Sequence, residues 1–126
     1  GPPTPALGVG IGMERALLVL QALGLELPGA PRLDAFLVAF GDAARPVALQ
    51  LAQQLRAAGI ACDLDLEGRS PKAQMRIANR TGARYALLLG ENELQSATAT
   101  VKDLTTHEQT IVPQAELAAW IRTRLP

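Results

Sequence analysis

The chain has 126 residues, 48% of them hydrophobic and 19% charged, and its 12 Lys plus Arg balance 12 Asp plus Glu to a formal charge of zero. That length suits one compact domain able to bury a core without covalent staples, and the single cysteine, Cys62, excludes a disulfide scaffold or a cysteine-rich zinc site and favours a reducing, cytoplasmic setting. The balanced charge argues against a polycationic nucleic-acid coat, the 3% aromatic content argues against a base-stacking RNA platform, and no apolar run approaches the ~20 residues of a membrane span or follows a basic leader.

In chain order, a proline-rich start gives way to Gly8, Gly10 and Gly12 alternating with Val9, Ile11 and Met13, a period of two that predicts a strand with one bare face. From Glu14 to Leu23 an Ala/Leu-rich run predicts a short helix closed by Gly24, after which Leu27 to Pro31 break all periodicity as a linker or domain boundary. Phe36 to Phe40 and Tyr85 to Leu89 lack polar alternation and are predicted as central strands covered on both faces. Between them a helix is expected over Arg45 to Ala58, stopped at Gly59, then a strand over Ile60 to Glu67. In that strand Ile60, Cys62, Leu64 and Leu66 face one side and Asp63, Asp65 and Glu67 the other, the pattern of a sheet edge. A second helix runs from a Ser70 cap through Pro71 to Thr81 and closes at Gly82. Leu94 to Leu104 and Gln109 to Val112, joined through Thr105, Thr106 and His107, predict an antiparallel hairpin, and Pro113 opens a last helix containing Leu117, Trp120, Ile121 and Leu125. The sum is an α/β fold, a mixed five-stranded sheet flanked by about three helices, preceded by a short strand and helix.

The glycine spacing fits neither a dinucleotide fingerprint nor a phosphate loop, because Met13 and Arg15 stand where glycines would be needed and no Gly-Lys-Ser/Thr follows. What remains is a bare strand face ending in Arg15 at a helix start, which is either a close approach for a flat ligand and its phosphate or simple tight packing. The interval from Arg69 to Arg84 holds five cations, Arg69, Lys72, Arg76, Arg80 and Arg84, and no acid. Lys72, Arg76 and Arg80 recur every four residues and form one helical stripe, either a phosphate track or an ordinary solvated face. Residues 26 to 67 carry six acids against three bases, so zero net charge is the sum of a basic tract and an acidic remainder. Glu91, Asn92 and Glu93 follow the carboxyl end of a central strand, where α/β sheets bind ligands and where carboxylate and amide groups could read base edges; a plain polar loop is the alternative. Asp63, Asp65 and Glu67 alternate as edge-strand acids do, which disfavours a metal site, and the sole histidine, His107, has no nucleophile or metal partner in sequence.

The run Gly8 to Leu20 resembles the third signature motif of class II aminoacyl-tRNA synthetases, in which small and apolar residues alternate before Glu-Arg and a hydrophobic helix. The similarity extends through Thr4-Pro5-Ala6, Leu55-Arg56, Gly59-Ile60, Arg69-Ser70-Pro71-Lys72-Ala73-Gln74, Ala78, Gly82-Ala83-Arg84-Tyr85, Leu89-Gly90-Glu91-Asn92-Glu93-Leu94, Val101-Lys102-Asp103-Leu104 and Glu108-Gln109 to the histidyl-tRNA synthetase family. It departs at His107, where that family usually has Gly, and at Pro71, where Leu is common. The resemblance implies that residues 1 to 30 end a catalytic domain and that residues 31 to 126 form an anticodon-binding domain, together the carboxy-terminal third of an ATP-dependent ligase. It implies that Gly10, Gly12 and Arg15 meet ATP, held with Mg2+ in the complete enzyme. The tRNA would be met by Arg69, Lys72, Gln74, Arg76, Arg80, Glu91, Asn92, Glu93 and Lys102, with Glu93 and Lys102 reading bases. It further implies a homodimeric parent with a histidine-accepting tRNA as partner and neither DNA nor membrane, while the chain alone would form no adenylate. A non-catalytic synthetase-like module for dimerisation or tRNA sensing, and a small-molecule-binding doubly wound domain, are the competing expectations.

Overall fold

The computed structural model describes residues 1–25 and 32–125, which divide into two compact units, Gly1–Ala30 and Pro31–Pro126. In the first unit, helix α1 spans Met13–Ala22 and ends before Gly24, whose φ of +67 suits a residue without a side chain. Gly8 to Gly12 do not form the expected strand. A period of two gives only the conformation; a strand also needs a neighbour for its N–H and C=O groups, and among the described residues none pairs with this segment. The expected break at Leu27 to Pro31 lies outside the described residues.

The second unit is built on a five-stranded sheet of order β2-β1-β3-β4-β5. Its elements are β1 (Ala35–Ala39), α2 (Ala44–Ala57), β2 (Cys62–Leu64), α3 (Pro71–Arg80), β3 (Tyr85–Leu89), α4 (Glu91–Ser96), β4 (Thr98–Asp103), β5 (Gln109–Pro113), a 3-10 turn (Gln114–Glu116) and α5 (Leu117–Arg122). Strands β1, β2 and β3 pair in parallel, and β4 and β5 add the antiparallel hairpin. All five residues of β1 are buried, as an unbroken apolar strand at a sheet centre requires. Ala35, Leu37, Tyr85, Leu87 and Val101 point to the face packed by Leu51 and Leu55 of α2 and Leu117 and Ile121 of α5, while Phe36 and Val38 point to the face packed by Ala78, Met75 and Ile77 of α3. Among the described residues no helix is long and apolar enough to cross a membrane.

Three boundaries differ from the sequence expectation. Strand β2 keeps only three residues, and Leu66, expected on its buried face, is 77% exposed. The segment from Glu91 to Ser96, expected as loop and strand, is helical because the Glu93 carboxylate accepts from the Gly90 N–H at 3.0 Å and caps the first turn; Ala97 at φ 52 then ends it. Pro113 closes β5 rather than opening a helix, so the last helix starts at Leu117.

The shortness of β2 has a specific cause. Its pairing with β1 stops at Leu37 opposite Leu64, which leaves the Ala39 N–H and carbonyl without a partner on the β2 side, although β1 still runs beside β3 there, Ala39 next to Leu89. The buried side chain of Gln74 takes that place: its Oε1 accepts from the Ala39 N–H at 2.9 Å, and its Nε2 donates to the Ala39 carbonyl at 3.1 Å and to the Arg69 carbonyl at 2.7 Å. Replacing Gln74 by Met keeps the length and removes all three bonds, orphaning two buried backbone groups; we expect a loss of about 2–4 kcal/mol in urea unfolding. The hairpin turn offers the opposite case, since His107 sits at φ 64, where a side chain is strained. His107→Gly should raise unfolding stability by up to about 1 kcal/mol in the same assay.

Candidate nucleic-acid interface

Helix α3 presents the basic stripe. Ser70 Oγ accepts from the Ala73 N–H at 3.4 Å and Pro71 fills the first turn, so the helix starts where capping chemistry places it. Ala78 and Gln74 are buried and Met75 and Ile77 half-buried, which turns Lys72, Arg76 and Arg80 to the exposed side. Among the described residues none of these three has a carboxylate within salt-bridge distance.

The other two cations of the tract are committed elsewhere. The Arg69 guanidinium bonds Asp65 at 2.6 Å and also the Glu67 carboxylate, and the Arg69 N–H donates to Asp65 at 2.7 Å. Arg84 donates to Asp103 at 3.3 Å and lies 5.4 Å from the Tyr85 ring centre. Gln74, expected to touch RNA, is 3% exposed with its amide spent on backbone, and it leaves the candidate surface for that reason.

Strand register brings the expected base-reading groups to the same face as α3. Phe36 aligns with Ala86 and then Lys102, and Val38 with Leu88 and then Thr100, so Lys102 and Thr100 share the face on which Phe36 and Val38 meet the helix. Glu91 and Asn92 are exposed at the start of α4. Glu93 is half-buried and serves two elements, with one oxygen on the Gly90 N–H and the other accepting from Thr100 Oγ1 at 2.8 Å. Ile111 stands opposite Thr100 on β5 and is 71% exposed; the sequence reading gave it no role, and only the register reveals it as an apolar spot among these polar groups. The aromatic pair is no base platform: Tyr85 packs edge-to-face on Trp120 at 5.5 Å in the core of the other face, and Arg124 covers Trp120 at 4.1 Å.

In the first unit, a Cβ added at Gly8 or Gly10 would meet nothing within 4 Å, and at Gly12 only the aliphatic stem of Arg15 at 3.7 Å. Residues 1–12 are exposed throughout and Arg15 is exposed on α1, so the open space at these glycines defines no enclosed site among the described residues. Among the described residues no group of three or more His, Cys, Asp or Glu is placed to hold a metal, Asp63, Asp65 and Glu67 included.

The anticodon binding domain family matches residues 34–124 of the chain. The chain is 46% identical over 124 residues to the histidine–tRNA ligase of Symbiobacterium thermophilum, covering 97% of this chain and 29% of that relative. Its fold is similar to that of apo S. aureus histidyl-tRNA synthetase, with a TM-score of 0.70 and 36% identity over 87% of this chain and 28% of that one. It is similar also to histidyl-tRNA synthetase from Nostoc sp. PCC 7120, with a TM-score of 0.71 and 31% identity over 92% and 28%. The chain thus spans 28–29% of the length of these relatives.

Three carboxylates beside the interface titrate below their ordinary range. Burial pushes Asp65 up, but hydrogen bonds from the Arg69 N–H and guanidinium outweigh it; burial also raises Asp103, and the Thr105 and Thr106 N–H groups with Arg84 outweigh that. For Glu93 the Thr100 hydroxyl bond lowers the value more than burial raises it. Because each folded value lies below the unfolded one, the stabilisation is fully present above the unfolded carboxylate range, near pH ~4, and is lost as pH falls through the folded values. Urea midpoints followed downward from about pH 5 should therefore decline, and Asp65→Asn or Glu93→Gln should flatten the decline.

Proposed function

Because the chain belongs to the anticodon-binding domain family and matches the corresponding part of histidyl-tRNA synthetases, we propose that residues 31–126 bind the anticodon stem-loop of a histidine-accepting tRNA. The observation that carries this reading is the exposed stripe of Lys72, Arg76 and Arg80, free of acid partners among the described residues, on the sheet face that also holds Lys102. Phosphates meet the stripe and fix the register; Glu91, Asn92, Glu93 and Lys102 then face the bases, where carboxylate, amide and ammonium groups distinguish Watson–Crick edges. Arg69 joins this surface as a reserve cation.

In the whole protein this domain serves a cytoplasmic, homodimeric ligase that uses ATP with Mg2+ to join histidine to its tRNA. Arg15 there contacts the ATP phosphate from the start of α1, with the backbone of Gly10 and Gly12 beside the nucleotide. One arginine cannot hold and activate two substrates, so the 126-residue chain alone is expected to be inactive in ATP–pyrophosphate exchange.

Three stripe cations on phosphates give a log–log salt slope of roughly 2–3, a loss of about 20- to 40-fold in affinity between 50 and 200 mM salt. Filter binding of a tRNA with a histidine anticodon should show this loss, and Arg76→Ala plus Arg80→Ala should cut the slope to below roughly 1. Glu93→Gln keeps the cap acceptor and removes the charge; it should reduce the preference over an anticodon-swapped tRNA on the order of tenfold. Equal binding of both tRNAs by the wild-type chain would sink the base-reading assignment.

A further inference from the structure

Of the four aromatic side chains, Phe36 and Tyr85 are buried, Trp120 packs against the core on the α2 face beneath Arg124, and Phe40 is 44% exposed. Its place follows from the strand. The residues of β1 alternate between the two sheet faces, with Phe36 and Val38 toward α3, so Phe40 continues on that face, and its N–H still bonds the Leu89 carbonyl at 2.9 Å. Gly41 then turns the chain at φ +86 toward α2, which covers the opposite face. The sheet order puts β2 on one side of β1 and β3 on the other, so the carboxyl ends of β1 and β3 flank a topological switch point, the place where α/β sheets hold ligands.

Three groups meet at that point. Beside Phe40 stands Gly90, where an added Cβ would lie 4.0 Å from the Phe40 Cβ and 2.9 Å from a Glu93 carboxylate oxygen, so the bare glycine brings the root of the aromatic side chain close to the carboxylate. That carboxylate is fixed by the Gly90 N–H and Thr100 Oγ1 and keeps lone pairs for a further donor. From the α3 side, Gln74 bonds Ala39, and Lys72, two residues earlier, is exposed in the first turn of the helix. A single apolar side chain at a surface needs no account, but an open ring at a switch point, between a fixed acceptor and an exposed cation, has the chemistry of a nucleotide contact. We propose that Phe40 is a stacking contact for one nucleobase of the bound RNA, with the amino edge of that base toward Glu93 and its phosphate toward Lys72. The proposal rests on the tRNA reading above and deepens it by a residue that neither charge nor hydrogen bonding marks. One ring is a single contact, not the multi-ring platform that an aromatic content of 3% excludes.

The test is binding of a tRNA with a histidine anticodon, across salt, by the wild-type chain, Phe40→Leu and Phe40→Trp, with urea midpoints measured alongside to separate a binding loss from a folding loss. Phe40→Leu keeps an apolar side chain and removes the ring; it should weaken binding roughly 5- to 20-fold at every salt concentration and leave the salt slope unchanged, because the ring meets no phosphate. Phe40→Trp should bind at least as tightly as the wild-type chain, and the fluorescence it adds to that of Trp120 should be quenched by the tRNA. A loss below about threefold in Phe40→Leu, or an equal loss in Phe40→Trp, overturns the stacking role while leaving the tRNA reading standing. If Phe40→Leu does not fold, the fluorescence of Phe40→Trp decides, and an unquenched signal with tRNA bound overturns the proposal. Failure of the wild-type chain to bind the tRNA overturns both readings, and the wild-type curve alone tells the two failures apart.

Discussion

A side-chain amide standing in for a missing strand peptide is the constraint on which the second unit depends. Without Gln74 the Ala39 N–H and carbonyl would be buried and unpaired, and β2 would have to run on beside β1 to satisfy them. With Gln74 in place the chain is free to leave the sheet after Leu64, and the same amide holds the Arg69 carbonyl just ahead of α3. The departure of β2 after Leu64 and the start of the basic helix thus meet at one hydrogen-bonding group, at an edge that the strand vacates.

The charge balance reads differently once the folded contacts are known. Five cations without an intervening acid look like one continuous track in sequence, but the fold divides them. Arg69 and Arg84 are spent on Asp65, Glu67 and Asp103, and only the three on the outer side of α3 remain for a partner. The unpaired cations of the tract are thereby concentrated on one helix face instead of spread along the chain, which would favour one docking orientation for the tRNA proposed above over general adhesion.

Much of this was legible in the amino-acid sequence because it rests on local rules. The Ser70 cap with Pro71, the four-residue spacing of the stripe, and the unbroken apolar runs of β1 and β3 are each decided within a few residues. Two differences lie where a group outside the segment decides: Ile60 to Glu67 alternate as a strand should, but the Gln74 amide takes the Ala39 peptide groups in place of β2, and Gly8 to Gly12 have strand periodicity without a described neighbour. The third is local, since Glu91 to Ser96 are helical through the Glu93 carboxylate on the Gly90 N–H three residues before it, a capping signal easily taken for a polar loop. For the candidate site, the four-residue spacing makes the exposure of Lys72, Arg76 and Arg80 legible, whereas the burial of Gln74, expected to touch tRNA, is not. Side-chain commitment to buried backbone leaves no mark in residue type alone.

The two oxygens of Glu93 carry a consequence of their own. One caps α4 and the other ties that helix to Thr100 on β4, so the carboxylate is the hinge pin between them. A nucleobase that hydrogen-bonds to Glu93 shares an acceptor already used by the fold. By linkage, what the base gains depends on how firmly the helix start is held, and the order of the helix start depends in turn on the base. Recognition of a base and rigidity of the α4 to β4 joint would then be two readings of one free energy.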